Sequence, residues 1–378
     1  DVVDMQMISD EVAELLTTRF NQLPLAMMDA LKVVSCLGYQ VEEFTIVALN
    51  SRNGILPYSM QDQLHLAIKE GLLEKAGPLY QFTHDIIQKT IYEFIPPGRC
   101  KLLHKTIGEN LLKFAEKNDN NDAMYRLAVD QINIYCKDAF LSSEKRSEFA
   151  SMNATAAKLA IALSFFEQAR CYIDVGMELL EPNCWAEQYS LSLDLYEMSA
   201  SVSCFNGDSN TMSRCLNEII ANVKSFEDSL TSSTLLAKLL AASSKYDEAM
   251  VNCLSVLSAL GEEFPQEISL DIVLNELSVI QTTLSDITVD KVKLLPPMTD
   301  AKLKVMEILS MLCVYSVISK PMLLPLLSCR MVRLMLEHGF CDDSIIGLVS
   351  AGWTLFTFTD KIKFGHRLIK VGESLIEE

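Results

Sequence analysis

From about residue 122 to its end the sequence offers little except helix. Apolar residues recur every three or four positions in run after run, with few breakers between them. The whole chain of 378 residues holds only 14 glycines and 11 prolines. Leu, Ala, Met, Ser, Glu and Lys dominate the runs, many of them good helix formers. Such a pattern predicts helices joined by short turns. Helical hairpins are expected at Ala156–Ser164 with Phe165–Leu180, and at Gln188–Phe205 with Asn210–Lys224. Two more are expected at Leu230–Ser243 with Tyr246–Leu260, and at Ser344–Phe358 with Lys361–Glu377. The turn-proximal texts FFEQA (165–169), GDSNTM (207–212) and KYDEA (245–249) hold similar places. Their last residues, Ala169, Met212 and Ala249, lie 43 and 37 residues apart. That spacing is loose around the tetratricopeptide period of about 34 residues. Each hairpin of such an array buries one face only by stacking on its neighbour. An α-solenoid of degenerate tetratricopeptide-like hairpins is therefore expected over 122–378, with a looser insert at Leu294-Leu295-Pro296-Pro297.

The first third follows a different grammar. Residues 9–20 open with Ser9 and two acids, suited to a helix start, and Val12, Leu15, Leu16 and Phe20 mark one face. Pro24 restarts the chain, and Leu25 to Cys36 is an apolar-faced helix ending at Gly38. Val41 to Leu49 and Met60 to Glu70 read as two short helices, separated by the turn residues Asn50, Ser51, Asn53 and Gly54. Next come a short apolar run, the turn Lys75-Ala76-Gly77-Pro78, and a second short run from Leu79 to Phe82. Two short strands about a Gly-Pro turn make a hairpin, and three helices followed by a hairpin is the order of a winged helix. A helix over Asp85–Phe94 ends before Pro96, Pro97 and Gly98, and another runs from Arg99 to Lys117. The polar run Asn118–Asp122 looks like a domain boundary. The fold expected is mainly α, a winged-helix domain with a linking helix over 21–117 followed by the solenoid.

The formal net charge is −18 and the pI about 4.8, which argues against a nucleic-acid partner, since phosphate contact needs a basic face. The candidate recognition segment of the winged helix, 59–75, sets Asp62, Glu70 and Glu74 against Lys69 and Lys75, so a protein-facing winged helix is expected. Eleven cysteines stand at 36, 100, 136, 171, 184, 204, 215, 253, 313, 329 and 341, with no C-x-x-C pair. They read as free thiols of a reducing compartment, used as small core hydrophobes rather than metal ligands. His338 and Cys341 lie three apart, but two ligands do not make a zinc site. No signal peptide is visible, and the longest uncharged stretch, Ser344–Thr359, is short of a bilayer span. A cytoplasmic protein with no membrane partner is expected. The chain starts at Asp1 inside a helix-rich segment, which reads as a piece of something longer.

No P-loop, dinucleotide-binding, zincin, nucleophile-elbow or kinase signature occurs, so no catalytic residues and no metal or cofactor are expected in this chain. The local text that stands out is Phe82-Thr83-His84-Asp85, where the hairpin meets the next helix. One reading has Thr83 or Asp85 capping that helix, with His84 a partly buried polar residue. The other has His84 facing a neighbouring domain and donating an imidazole N–H to a bound phosphate near a helix N-terminus.

The order of motifs resembles one known arrangement. LLTTRFNQLP, ALKVVSCLGYQVEEFTIVAL, GLLEKAGPLYQFTHDIIQKTIYEFIP and LLHKTIGENLL look like the segment that follows the nucleotide-binding domain of AAA/STAND-type signal-transduction ATPases. The likeness is to multidomain members that also carry serine/threonine kinase-like and other signalling domains. In those families the hairpin-to-helix junction reads Phe-x-His-Asp, then an aromatic-bearing helix, a Pro, and a His-x-x-Ile-Gly helix. Here these are Phe82, His84 and Asp85, then Tyr92, Pro96, and His104 with Ile107 and Gly108. A basic residue commonly follows His-Asp in the family, and this chain has Ile86. The resemblance extends over nearly the whole chain. It implies that residues 1–20 are the last helix of a preceding ATPase region, with ATP or ADP and Mg²⁺ bound there and not here. It implies His84 as a nucleotide sensor and Asp85 as the residue that orients or caps. It also implies a non-catalytic module that couples nucleotide state to protein partners or neighbouring domains. The alternative is an autonomous helical-repeat adaptor that binds peptides or proteins.

Overall fold

In the computed structural model, which describes residues 17–50, 55–118, 121–137 and 139–376, Pro24 and Gly38 bracket the first long helix, α1 (Leu25–Leu37). Of the helix expected over 9–20, residues 17–20 are helical and the rest lie outside the described residues. The turn residues Ser51, Asn53 and Gly54 lie outside them too. The chain divides into two units, Asp1–Met198 and Ser199–Glu378.

In the first unit, α1 leads into a short strand, β1 (Gln40–Glu42), where the sequence reading placed the start of a helix. The helix α2 begins only at Glu43 (Glu43–Leu49). The cause is a long-range pairing that no local pattern carries. β1 runs antiparallel to β3 (Leu79–Phe82), with Gln40 opposite Gln81 and Val41 opposite Tyr80, so Val41 and Tyr80 are buried. α3 (Met60–Lys69) starts at Ser59, whose side chain accepts from the Asp62 amide at 3.2 Å. β2 (Leu73–Ala76) then pairs with β3, Leu73 opposite Phe82 and Ala76 opposite Leu79, which is the expected hairpin about Gly77-Pro78. Helix, strand, two helices and a hairpin, with β3 central in the sheet, is the element order of a winged helix, one strand richer than expected.

α4 (Asp85–Glu93) follows at once, then α5 (Pro97–Lys117), which begins two residues before the expected Arg99. Proline breaks a helix only in its interior, and at the first helical position its missing N–H is no loss. α6 (Asp122–Cys136) packs against α5, and α7 (Ser143–Ala162) against α8 (Phe166–Leu179). α7 is longer than expected because Ser142 caps it, accepting from the Lys145 amide at 3.4 Å. A short α9 (Cys184–Glu187) precedes α10 (Tyr189–Asn206), the helix in which the two units meet in sequence. The core of the first unit is built on Leu31, Ile46, Leu64, Tyr80, Phe82 and Ile91, all fully buried.

The second unit is helical almost throughout. α11 (Ser209–Asn222), α12 (Phe226–Ala242), α13 (Tyr246–Ala259), α14 (Leu270–Thr283) and a short α15 (Val289–Lys293) lead to α16 (Asp300–Ser319). α17 (Leu324–His338), α18 (Asp343–Phe358) and α19 (Ile362–Ile376) complete it. The expected pairs α12/α13 and α18/α19 are antiparallel neighbours, and α16 packs on both α13 and α17. The insert at Pro296-Pro297 is tied down, since Phe340 donates its amide to Pro296 and Met298 donates to Phe340, each at 2.8 Å.

Three of the turns in the array share one geometry. Ser164, Gly207 and Ser244 have φ of 60°, 72° and 59°, the left-handed region. In each turn the next residue donates its amide five residues back, Phe165 to Ala160, Asp208 to Ser203 and Lys245 to Leu240, all at 2.9 Å. Glycine takes that backbone freely and serine only at some strain, so the turn is held at two of these places by a residue that does not favour it. This repeated turn is the structural form of the FFEQA, GDSNTM and KYDEA texts. No helix among the described residues is long and apolar enough to cross a membrane.

Candidate functional site

The junction carrying His84 is fixed from the strand side. Thr83 donates its hydroxyl to the Gly71 carbonyl at 3.0 Å and its amide to Leu72 at 3.2 Å. Because Thr83 is used this way, it does not cap the helix. Neither does Asp85, which already lies in the first helical turn; the N-cap position is His84, with extended backbone and no side-chain cap bond. His84 is exposed rather than partly buried, because the chain has left the end of the central strand β3 there and the apolar face of α4 begins only at Ile87. The Asp85 carboxylate lies 3.3 Å from Lys89 one turn along α4. That bond, with the charge of Lys89 behind it, holds the carboxyl below the ordinary aspartate range. The two residues implied as a nucleotide sensor are thus adjacent and solvent-facing, with Asp85 engaged by Lys89.

A second, buried group of polar residues lies at the other end of α4. His104 on α5 is 1% exposed. Its Nδ1 is 2.7 Å from Oε1 of Gln131 on α6, and its Nε2 is 3.0 Å from the Tyr92 hydroxyl on α4. Gln131 also donates Nε2 to the Cys36 carbonyl at the end of α1, at 3.4 Å. That bond settles the amide orientation. Oε1 must face the ring, so Nδ1 carries the proton and Nε2 accepts from Tyr92. Burial lowers the His104 pKa, the bond to Gln131 opposing it, so the ring is neutral. The Sγ atoms of Cys36 and Cys100 and a ring nitrogen of His104 all lie within 4.8 Å of one another. Burial, followed by the neighbouring Cys100, pushes the Cys36 thiol well above its usual range. Tyr92, Cys100, His104, Lys101 and Ile134 line an open cavity of about 500 Å³ beside the group.

The close approach of α5 and α6 makes this arrangement possible. A Cβ on Gly108 would lie 2.6 Å from Ile132 Cγ1 and 2.9 Å from the Ala128 carbonyl. The His-x-x-Ile-Gly text is therefore a packing motif, with His104, Ile107, Gly108 and Leu111 forming the buried face of α5. Sequence reasoning named His104, Tyr92 and both cysteines separately and did not join them. The available signal was the spacing of Cys100 and His104, four apart on one helix face.

In the second unit, Glu262 is a buried charged residue. It follows α13 and accepts from Lys302 on α16 at 2.7 Å and from Arg330 on α17. Large apolar side chains point outward along two helices of this unit, Val314, Val317 and Ile318 on α16 and Trp353 and Phe356 on α18.

No family model matches the chain, and no curated protein matches it. Among solved structures it is similar to the crystal structure of a Signal Transduction ATPase with Numerous Domains (STAND) protein with a tetratricopeptide repeat sensor from Pyrococcus horikoshii. The identity is 14% and the TM-score 0.33, over 97% of this chain and 65% of that one. The chain thus spans about two thirds of the length of that structure, and a likeness of this strength assigns no function.

Proposed function

We propose that this chain is a regulatory, protein-interaction segment of a STAND-type signalling ATPase, in which a winged helix relays nucleotide state to a tetratricopeptide-like array. The observation that carries this reading is the exposed His84 at the head of α4, directly behind the hairpin. An imidazole that contacts a phosphate must be open to a neighbouring domain, and the first amides of α4 favour an anion beside it. ATP or ADP and Mg²⁺ would bind in a P-loop domain outside this chain. The partners are proteins or neighbouring domains. The outward apolar residues of α16 and α18 support this, as does the acidic balance, which disfavours nucleic acid.

The test is to express the chain joined to the P-loop segment encoded with it and to measure retention of ADP through gel filtration. Faster loss of ADP from His84→Ala than from the unaltered protein supports the sensor role. Equal retention removes that role, and the array is then an adaptor without nucleotide coupling.

A further inference from the structure

The group at Cys36, Cys100 and His104 has more in it than packing requires. A buried polar group needs only one satisfied partner, and a plain apolar contact would serve α1, α4, α5 and α6 at less risk. Here two thiols and an imidazole converge, all within 4.8 Å of one another, and two of the three residues, Cys100 and His104, line an open cavity.

We propose that Cys36, Cys100 and His104 bind a zinc ion, in a three-ligand site whose fourth position faces the cavity beside α5. The donor set is the first argument. Thiolate and imidazole suit Zn²⁺, at about 2.3 Å for sulfur and 2.0–2.1 Å for nitrogen. Cys100 and His104, four apart on α5, present their donors on one helix face, and Cys36 adds the third from α1. The second argument is the shell behind the imidazole. A metal-bound histidine usually donates its other N–H to a fixed acceptor, and Gln131 Oε1 already accepts from Nδ1, its amide held by the Cys36 carbonyl. Nε2 is thereby left as the lone pair for a metal. Tyr92, which now donates to Nε2, can turn its hydroxyl to the Cys100 thiolate, the stronger acceptor once a metal is bound.

Charge balance selects the metal class. Binding replaces two S–H protons by one Zn²⁺, so two protons leave to solvent and the metal–dithiolate unit is neutral. A neutral unit suits a largely buried place, whereas Cu⁺ with two thiolates would leave a net negative charge there. The cavity gives the ion a path in, and water or a ligand from its wall completes four-coordination.

The experiment uses the full chain in a non-thiol reductant, titrated with Zn²⁺ and with Co²⁺ as its spectroscopic stand-in. Tight binding of about one equivalent is expected, with tetrahedral cobalt bands, thiolate-to-cobalt charge transfer and release of about two protons per ion. Added zinc should raise Tm. Cys100→Ser, at the cavity edge, should abolish the tetrahedral spectrum and the Tm rise. A readout on the unaltered protein guards against a misfolded variant: zinc should slow alkylation of Cys100 and leave exposed Cys171 unchanged. The proposal is overturned by the absence of a tetrahedral cobalt spectrum, by a spectrum retained in folded Cys100→Ser, or by alkylation of Cys100 indifferent to zinc. ADP retention does not enter these outcomes, so this site and the His84 reading stand or fall separately.

Discussion

Each unit has a buried polar residue that ties several helices together, and the two do so with opposite chemistry. In the first, His104 joins α5 to α4 and α6 through neutral hydrogen bonds, and Gln131 extends the tie to α1. In the second, Glu262 joins the end of α13 to α16 and α17 through Lys302 and Arg330. His104 has neutral partners throughout, whereas the cations facing Glu262 keep part of their surface in water. A side chain as deeply buried as His104 is kept neutral, because an uncompensated charge there is too costly, while a joint at the rim can use charge. The difference predicts how each fails.

The largest effect is expected at His104. His104→Ala removes a buried ring and leaves the Tyr92 hydroxyl and the Gln131 amide without their partner, which should cost about 3–4 kcal/mol in urea unfolding. A loss below about 1 kcal/mol would mean that water replaces the ring and that the joint is not closed.

Glu262→Gln should cost less, about 2–3 kcal/mol, because solvent can still reach Lys302 and Arg330. Its pH dependence sharpens the contrast. Burial pushes the Glu262 carboxyl up, but hydrogen bonds and charge from Lys302 and Arg330 outweigh it and leave the folded-state pKa below the ordinary 4.5. A depressed carboxylate contributes stability that is complete above the unfolded value and is lost as pH falls through the folded one. The gap between the unaltered protein and Glu262→Gln should therefore be constant down to about pH 4.5 and close below it. A gap that widens in acid would reverse the sign and break the assignment.

Gly108→Ala comes next. The added methyl meets Ile132 and the Ala128 carbonyl, one turn from His104, so α5 and α6 must part and Gln131 must move with them. A loss of about 1–3 kcal/mol is expected. In the double variant with His104→Ala the two losses should fall short of additivity, since the first change already loosens what the second disrupts.

How much of this was readable in the sequence follows from the range of each interaction. Helices bounded by Pro24, Gly38 and Pro96 and the hairpin about Gly77-Pro78 were legible, because breakers and turn residues act locally. β1 was not, because Gln40–Glu42 has three residues and pairs forty positions away, while the text Val41–Leu49 alone fits a helix. The shared turn at 164, 207 and 244 showed only as a loose textual echo, since two of its three left-handed residues are serine. The His84 junction was located but its cap was misassigned, because Thr83 is drawn away by the Gly71 carbonyl across the hairpin. The buried group around His104 needed the tertiary fold, its partners coming from four helices between Cys36 and Gln131.

The smallest expected effect isolates what charge does without burial. Lys158 and Asp194 form an ion pair at 2.6 Å, about as short as Lys302 to Glu262. Yet the Asp194 side chain is 40% exposed, against 7% for Glu262. An exposed pair gains little over hydration, must order two side chains and is screened by salt. Asp194→Asn should thus change stability by no more than about 0.5 kcal/mol, and that residue should vanish in 0.5 M salt. Glu262→Gln should keep most of its loss in the same salt, because ions cannot enter between a carboxylate and cations packed against it. Equal salt sensitivity of the two variants would show that Glu262 acts as a surface charge, and the contrast between the two joints would then rest on geometry alone.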